Sequence, residues 1–198
     1  VYINHYNIYQ AYMEVNGRRY ARVSEVISSF NDFSKIPKEV LENKALLGTR
    51  VHELIKEEIQ GEFPIALGKE CGYMESFVRW KDATRAEFIA SEKRYCDEER
   101  RLTGCIDAIV KLHGEDEAIL VDFKTSAQES PITWPMQAHL YYYLLVRHNV
   151  SVANRFLFIK LDRHGNMPNV FQYKFDTNLL NKCLQLVDEY WENKSLGL

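Results

Sequence analysis

The stretch ILVDFKTS, residues 119–126, decides how this sequence is read. Ile119, Leu120, Val121 and Phe123 give it the content of a buried strand. Yet Asp122 and Lys124 bring opposite charges into it, two residues apart. Side chains alternate faces along a strand, so these two point the same way. A charge taken out of water is costly unless it is compensated. The chain must therefore supply either a plain Asp–Lys salt bridge or a use for the pair.

The preceding run RLTGCIDAIVKL, residues 101–112, also has strand content, and HGED, residues 113–116, separates the two as a turn. A hairpin closing around Gly114 and Glu115 sets Asp107 directly across from Asp122. An odd-length loop would instead send the two acids to opposite faces. Facing carboxylates repel, and burial sharpens the repulsion. Either one acid keeps a proton or a cation lies between them, and a hard divalent cation suits oxygen ligands. A lone D-x-K favours the salt bridge. The apolar flanks and the opposed second acid shift the balance to a metal site.

At 198 residues the chain fits one sizeable domain. Its 46% hydrophobic and 27% charged content is ordinary for a globular protein. A formal net charge of -3 argues against a basic nucleic-acid coat but leaves room for a local basic groove. No run approaches the roughly 18 consecutive apolar residues of a membrane span, so no membrane association is expected. Cys71, Cys96, Cys105 and Cys183 form no C-x-x-C pair, which disfavours a zinc ribbon or a redox motif. They read as reduced thiols, hence a cytoplasmic setting.

Working outward, YMEVNGRRYARV (residues 12–23) reads as a hairpin turning at Asn16-Gly17, and Ser24 as the N-cap of a short helix, EVISSF. Pro37 starts a helix over residues 38–59; Gly48 marks a break or close contact in it, and Gly61 ends it. A second long helix is expected over residues 70–88. Three strands follow, over 88–96, 101–112 and 118–126, with DEER (97–100) as the first turn. Then come a helix over 135–148, strands over 153–161 and 170–175, and a helix from about 178 to 192. The sum is an α/β fold, a mixed central sheet flanked by helices.

Two helical features converge on the hairpin. In GTRVHELI, His52 lies one turn after Gly48 on the same face and could complete a metal shell, although a polar residue at the core edge is the blander reading. No second His follows four residues on, so a zinc-protease box is rejected. In QAHLY, Gln137 and Tyr141 share a helix face and could reach a phosphate or a base. Tyr142 and Tyr143 read as packing residues.

The ordered set GTRVH, GCID, VDFKT and QAHLY resembles the PD-(D/E)xK nuclease superfamily, and more narrowly its RecB-like branch of phage-type recombination exonucleases. The match runs from Gly48 to Tyr141. The resemblance implies a restriction-endonuclease-like core in a single nuclease domain, 1–198, with an N-terminal hairpin and helical extension over about 1–35. It implies that Asp107 and Asp122, with His52 and the carbonyl of Phe123, hold Mg²⁺ or Mn²⁺. Lys124 would polarise the attacking water, and Gln137 and Tyr141 would hold DNA at the scissile phosphate. Glu92 is a supporting acid: with DEER as the turn, Ala90 faces Asp107 and Glu92 is the diagonal neighbour. Some relatives carry an iron–sulfur cluster on thiolates clustered after the Q-x-x-x-Y helix. Only Cys183 follows that helix here, so no cluster is expected. No phosphate loop is present, so no ATP use is expected.

The function so implied is a metal-dependent DNA exonuclease of recombination, repair or phage replication, in a bacterial or phage-infected cell. A single-strand annealing or recombination protein would be its partner, and oligomerisation is left open. The rivals are a CRISPR-adaptation-like or structure-specific endonuclease of the same fold, a non-catalytic DNA-binding or partner-binding domain, and an unrelated α/β protein. Arg18, Arg19, Arg22 and Arg50 are candidate DNA contacts. Trp134 is either a base-stacking residue or a core aromatic.

Overall fold

The computed structural model describes residues 13–15, 17–31, 34 and 36–196. Its strands are β1 (Met13–Val15), β2 (Arg18–Arg22), β3 (Glu87–Asp97), β4 (Leu102–Lys111), β5 (Ile119–Lys124), β6 (Arg155–Lys160) and β7 (Asn169–Lys174). Its helices are α1 (Val23–Val26), α2 (Lys38–Ile59), α3 (Glu70–Thr84), α4 (Thr133–Arg147) and α5 (Thr177–Ser195). The seven strands form one mixed sheet. β3 runs antiparallel along the whole of β4. β2 pairs in parallel with the start of β4, and β5 pairs antiparallel with its end. β6 is parallel to β5, and β7 is antiparallel to β6. Among the described residues no helix is long and apolar enough to cross a membrane.

Strand alternation sorts the apolar residues into two cores, one on each side of the sheet. Leu120, Phe156 and Phe158 pack with α1, α4 and α5. Ile119, Val121, Phe123, Leu157 and Ile159 pack with α2 and α3. Phe123 explains how a buried strand carries two charges. Its ring lies edge-on to Phe77 and Trp80, at centroid distances of 5.2 and 5.6 Å. Burying such a ring contributes about 1.5–3 kcal/mol, with about 0.5–1.5 kcal/mol more for each aromatic pair. Anchored there, it leaves Asp122 and Lys124 on the other face, toward α4.

The β4–β5 register is the expected one: Ala108 faces Val121, Ile109 faces Leu120 and Val110 faces Ile119. Pairing toward the loop stops at Val110 and Ile119, so the connection is wider than a tight turn, but its even parity keeps Asp107 and Asp122 in line at the ladder's other end, beyond Ala108 and Val121. The β3–β4 register departs from expectation. Asp97 stays in β3 opposite Leu102, so residues 98–101 make the turn, with Arg101 left-handed at φ 49°. Asp97 is held in the strand by Arg100 N–H (3.1 Å), Tyr143 O–H (2.8 Å) and Arg147 Nε–H (3.2 Å). The shift makes Glu92, not Ala90, the residue in register with Asp107, because Ser91 faces Ala108 and Lys93 faces Ile106.

Two local expectations are corrected, and one open alternative is decided. Ser24 lies inside α1, whose N-cap is Arg22. The helix expected over 70–88 stops at Thr84, where Arg85 turns left-handed at φ 48°. Trp134 is buried and stacked on Phe158 at 5.3 Å, which makes it a core aromatic. The predicted N-terminal hairpin forms, with Met13 opposite Tyr20; Asn16 of its turn lies outside the described residues. Gly48 does not break α2. It marks a close approach, since a Cβ there would sit 3.3 Å from Thr125 Oγ1, at the end of β5.

His139 ties α4 to α5. Its Nδ1–H donates to Pro135 O at 2.7 Å, and its Nε2 accepts from Asp176 N–H at 2.8 Å. The contact from Asp176 needs a neutral ring with Nε2 unprotonated, and burial lowers the His139 pKa below the ordinary 6.5 against the pull of Pro135 O and Asp176. The unfolded chain therefore binds this proton more readily. The contribution of His139 to stability is full above pH 6.5 and is lost as pH falls through its lower folded value. Denaturant unfolding of the parent and of His139→Gln between pH 5 and 8 checks this: the stability gap between them narrows toward acid.

Candidate functional site

The site forms where the β4–β5 ladder ends, and both helical layers reach it. Asp107 of β4 and Asp122 of β5 are 9% and 2% exposed, against the usual surface habit of aspartate. In place of a further ladder pair, Asp107 Oδ2 accepts Phe123 N–H at 2.8 Å. From α2, His52 Nδ1 lies 3.5 Å from Asp107 Oδ1 and 3.1 Å from Glu92 Oε1. Glu92 reaches inward from β3 with its backbone left-handed at φ 46°, a conformation that costs a non-glycine residue free energy. Its other oxygen, Oε2, accepts from Cys105 Sγ at 3.3 Å.

Asp122 belongs to a second group on the α4 side. Its Oδ1 accepts from Gln137 Nε2 at 2.8 Å. Gln137 uses both ends of its amide: Nε2 also donates to Tyr141 Oη at 3.0 Å, and Oε1 accepts from Lys124 Nζ at 2.9 Å. Lys124 Nζ forms an ion pair with the buried Asp122 Oδ2 at 2.6 Å.

The electrostatics follow the geometry. Burial pushes the Asp122 carboxyl up to about 7, and the facing Asp107 adds to this against the pull of Lys124. Burial also raises Asp107, but His52, Lys124 and the Phe123 N–H outweigh it and hold the carboxyl below its ordinary range. Burial lowers His52, yet Asp107 and Glu92 raise it well above 6.5. Burial and the two acids keep the Tyr141 phenol protonated well beyond 10.

His52, Glu92, Asp107, Asp122, Phe123, Lys124, Gln137 and Tyr141 thus come to one place, in a grouping that differs from the expected one. His52, Glu92 and Asp107 present donor atoms within 4.8 Å of one another and could hold a metal ion. Glu92, a supporting residue in the sequence reading, is a full member, whereas Asp122 is engaged by Lys124 and Gln137. At Phe123 the group seen on Asp107 is the N–H. Oxygen donors with one imidazole suit Mg²⁺ or Mn²⁺, and a divalent ion would offset the two facing carboxylates buried here. Cys105 carried no sequence signal, because its contact with Glu92 depends on the β3–β4 register. Tyr141 is buried and reaches Gln137. Its ring lies over Gly104, where a Cβ would come within 2.6 Å of Tyr141 Cε1. Arg50 is engaged by Glu53 and Glu57, and Arg19 by Glu25 and Tyr190.

Comparison with known proteins follows the same line. The family model described as the PD-(D/E)XK nuclease superfamily matches residues 18–193. Among solved structures, SSO0001 superposes with a TM-score of 0.50 at 15% identity, covering 91% of this chain and 79% of that one. LHK-Exo in complex with dAMP gives a TM-score of 0.51 at 12% identity, covering 90% and 89%. A further structure of LHK-Exo, an alkaline exonuclease from Laribacter hongkongensis, gives 0.48 at 12% identity, covering 90% and 94%. No curated protein sequence matches the chain.

Proposed function

This chain belongs to the PD-(D/E)XK nuclease superfamily, and from that premise we propose that it is a Mg²⁺- or Mn²⁺-dependent DNA exonuclease. The observation that carries the proposal is the pair of buried carboxylates, Asp107 and Asp122, beside Lys124 at the end of the β4–β5 ladder. A degenerate, non-catalytic domain has no reason to keep charges so costly to bury. His52, Glu92 and Asp107, joined by Asp122 and the Phe123 carbonyl, would hold the ion. When bound, the ion neutralises charge on the phosphodiester, lowers the pKa of water and stabilises the leaving oxygen.

The remaining steps fall to the chain itself. Lys124, held between Asp122 Oδ2 and Gln137 Oε1, orients the attacking water and offsets negative charge as it develops. Gln137 fixes both partners of that contact and is the residue that meets the DNA. Tyr141 acts through Gln137 and positions it. A place in recombination, repair or phage replication, alongside a single-strand annealing protein, is part of the same reading and rests on the resemblance to the RecB-like branch.

A timed digestion tests it. End-labelled linear duplex, linear single strand and a covalently closed circle are incubated with Mg²⁺, Mn²⁺ or EDTA. The linear DNA is expected to shorten from its ends with either ion and to persist in EDTA, while the circle stays intact. A cut circle would replace the exonuclease with an endonuclease of the same fold. Intact DNA in every lane would remove the nuclease reading.

A further inference from the structure

A groove of about 570 Å³ lies along β3, lined also by Cys105 of β4 and Lys56 of α2. Lys56, Lys93 and Arg94 line it, and Glu92 is its one acid. Three cations against one carboxylate stand out in a chain whose formal net charge is -3. Lys56 follows His52 by four residues in α2, so the helix face that carries a metal-ligand candidate also carries this lysine. Glu92 belongs both to the groove and to the His52–Glu92–Asp107 group. The groove is therefore continuous with the candidate centre.

β3 is also irregular along this side. Its register with β4 slips between Phe88 and Ala90, leaving Ile89 bulged outward and 58% exposed. Among the described residues β3 pairs only with β4, so the backbone groups of its other edge have no strand partner. Cations beside backbone N–H donors make a surface that fits a run of phosphates. The bulge and the left-handed Glu92 suit an added peptide strand poorly, because they break the regular spacing a ladder needs.

We infer that this groove holds the phosphodiester backbone of the nucleic-acid strand on its way to or from the site, with Lys56, Lys93 and Arg94 as phosphate contacts. The inference rests on the nuclease reading and adds the path of the strand. Binding to the phosphate backbone is independent of base sequence, and it falls with salt because the counterions it releases gain less on entering a saltier solution.

The test measures binding in EDTA, apart from catalysis. A fluorescein-labelled 20-nucleotide single strand, and the matching duplex in a parallel arm, are titrated by anisotropy from 50 to 300 mM NaCl. Lys56→Glu/Lys93→Glu is expected to weaken binding at least about tenfold at the lowest salt. It should also flatten the slope of log K against log salt by about 1.4 for single strand or about 1.8 for duplex, the loss of two phosphate contacts. The more affected arm identifies the form of DNA that lies in the groove. Both lysines are exposed, so the melting temperature should not move; Lys56→Gln/Lys93→Gln gives a milder version of the same loss. Unchanged affinity and slope in both arms, in a protein that still digests DNA, overturn the groove assignment alone. A parent chain that neither binds nor digests DNA overturns the groove and the nuclease reading together.

Discussion

Asp107→Asn is expected to slow DNA hydrolysis by at least about 10²–10³-fold, the scale on which one electrostatic partner of a transition state is lost. In EDTA its melting temperature should stay close to that of the parent, because the lost charge both steadies the fold through His52 and Lys124 and opposes Asp122. Both halves follow from the contacts of one carboxylate. The amide oxygen of Asn can still accept Phe123 N–H, so the join between β4 and β5 survives. His52 keeps Glu92 at 3.1 Å. What disappears is the negative charge that faces Asp122 and helps push its carboxyl up to about 7. A carboxyl whose folded pKa lies above its unfolded value of 3.8 destabilises the fold at neutral pH. Easing that shift offsets the stabilisation lost with the Asp107 charge, whose own carboxyl is held below its ordinary range by His52 and Lys124. A variant that melts like the parent and digests DNA at the parental rate would remove Asp107 from the catalytic group.

Gly104→Ala should destabilise the protein by about 1–3 kcal/mol, the usual cost of overfilling a packed core. At about 2–4 °C per kcal/mol for a chain of this size, thermal melting registers it as a drop of several degrees. The added methyl would meet Tyr141 Cε1 at 2.6 Å, Tyr141 Cδ1 at 2.9 Å and Leu144 Cδ1 at 3.1 Å. The ring is buried and its hydroxyl is tied to Gln137, so it has little room to retreat. Displacing it should also disturb Gln137, and through Gln137 both Lys124 and Asp122, which lowers the cleavage rate. A double-mutant cycle separates the packing effect: in a Tyr141→Leu background, Gly104→Ala should cost measurably less stability. Equal costs in the two backgrounds would show that the ring is not the obstacle.

These two positions also mark how far the sequence could be read. Asp107 and Asp122 were legible because alternation is local and only the parity of one loop was at stake. The mixed sheet and its helices were legible for a similar reason, since periodicity and turn residues separate the elements. Gly104 was visible as a residue but not as a contact, because Tyr141 approaches from an element far along the chain. Glu92 was misplaced by the β3–β4 turn. A sequence of two acids, a further acid and arginines does not reveal that Asp97 stays in the strand, held by Tyr143 and Arg147 of α4. Trp134 was left between a base-stacking role and a core one, and only Phe158 of β6, stacked on it, decides for the core. In each case a partner distant in sequence decided the outcome.

The uneven margin of β3 has a consequence beyond the site. An eleven-residue strand with one open side is the sort of template on which molecules stack into fibrils. Here Ile89 swells out of line, Glu92 twists the peptide planes and Lys93 adds a charge. A newcomer would find no regular succession of donors and acceptors to copy, so the protein can remain dispersed at concentrations where a flat margin would seed aggregation.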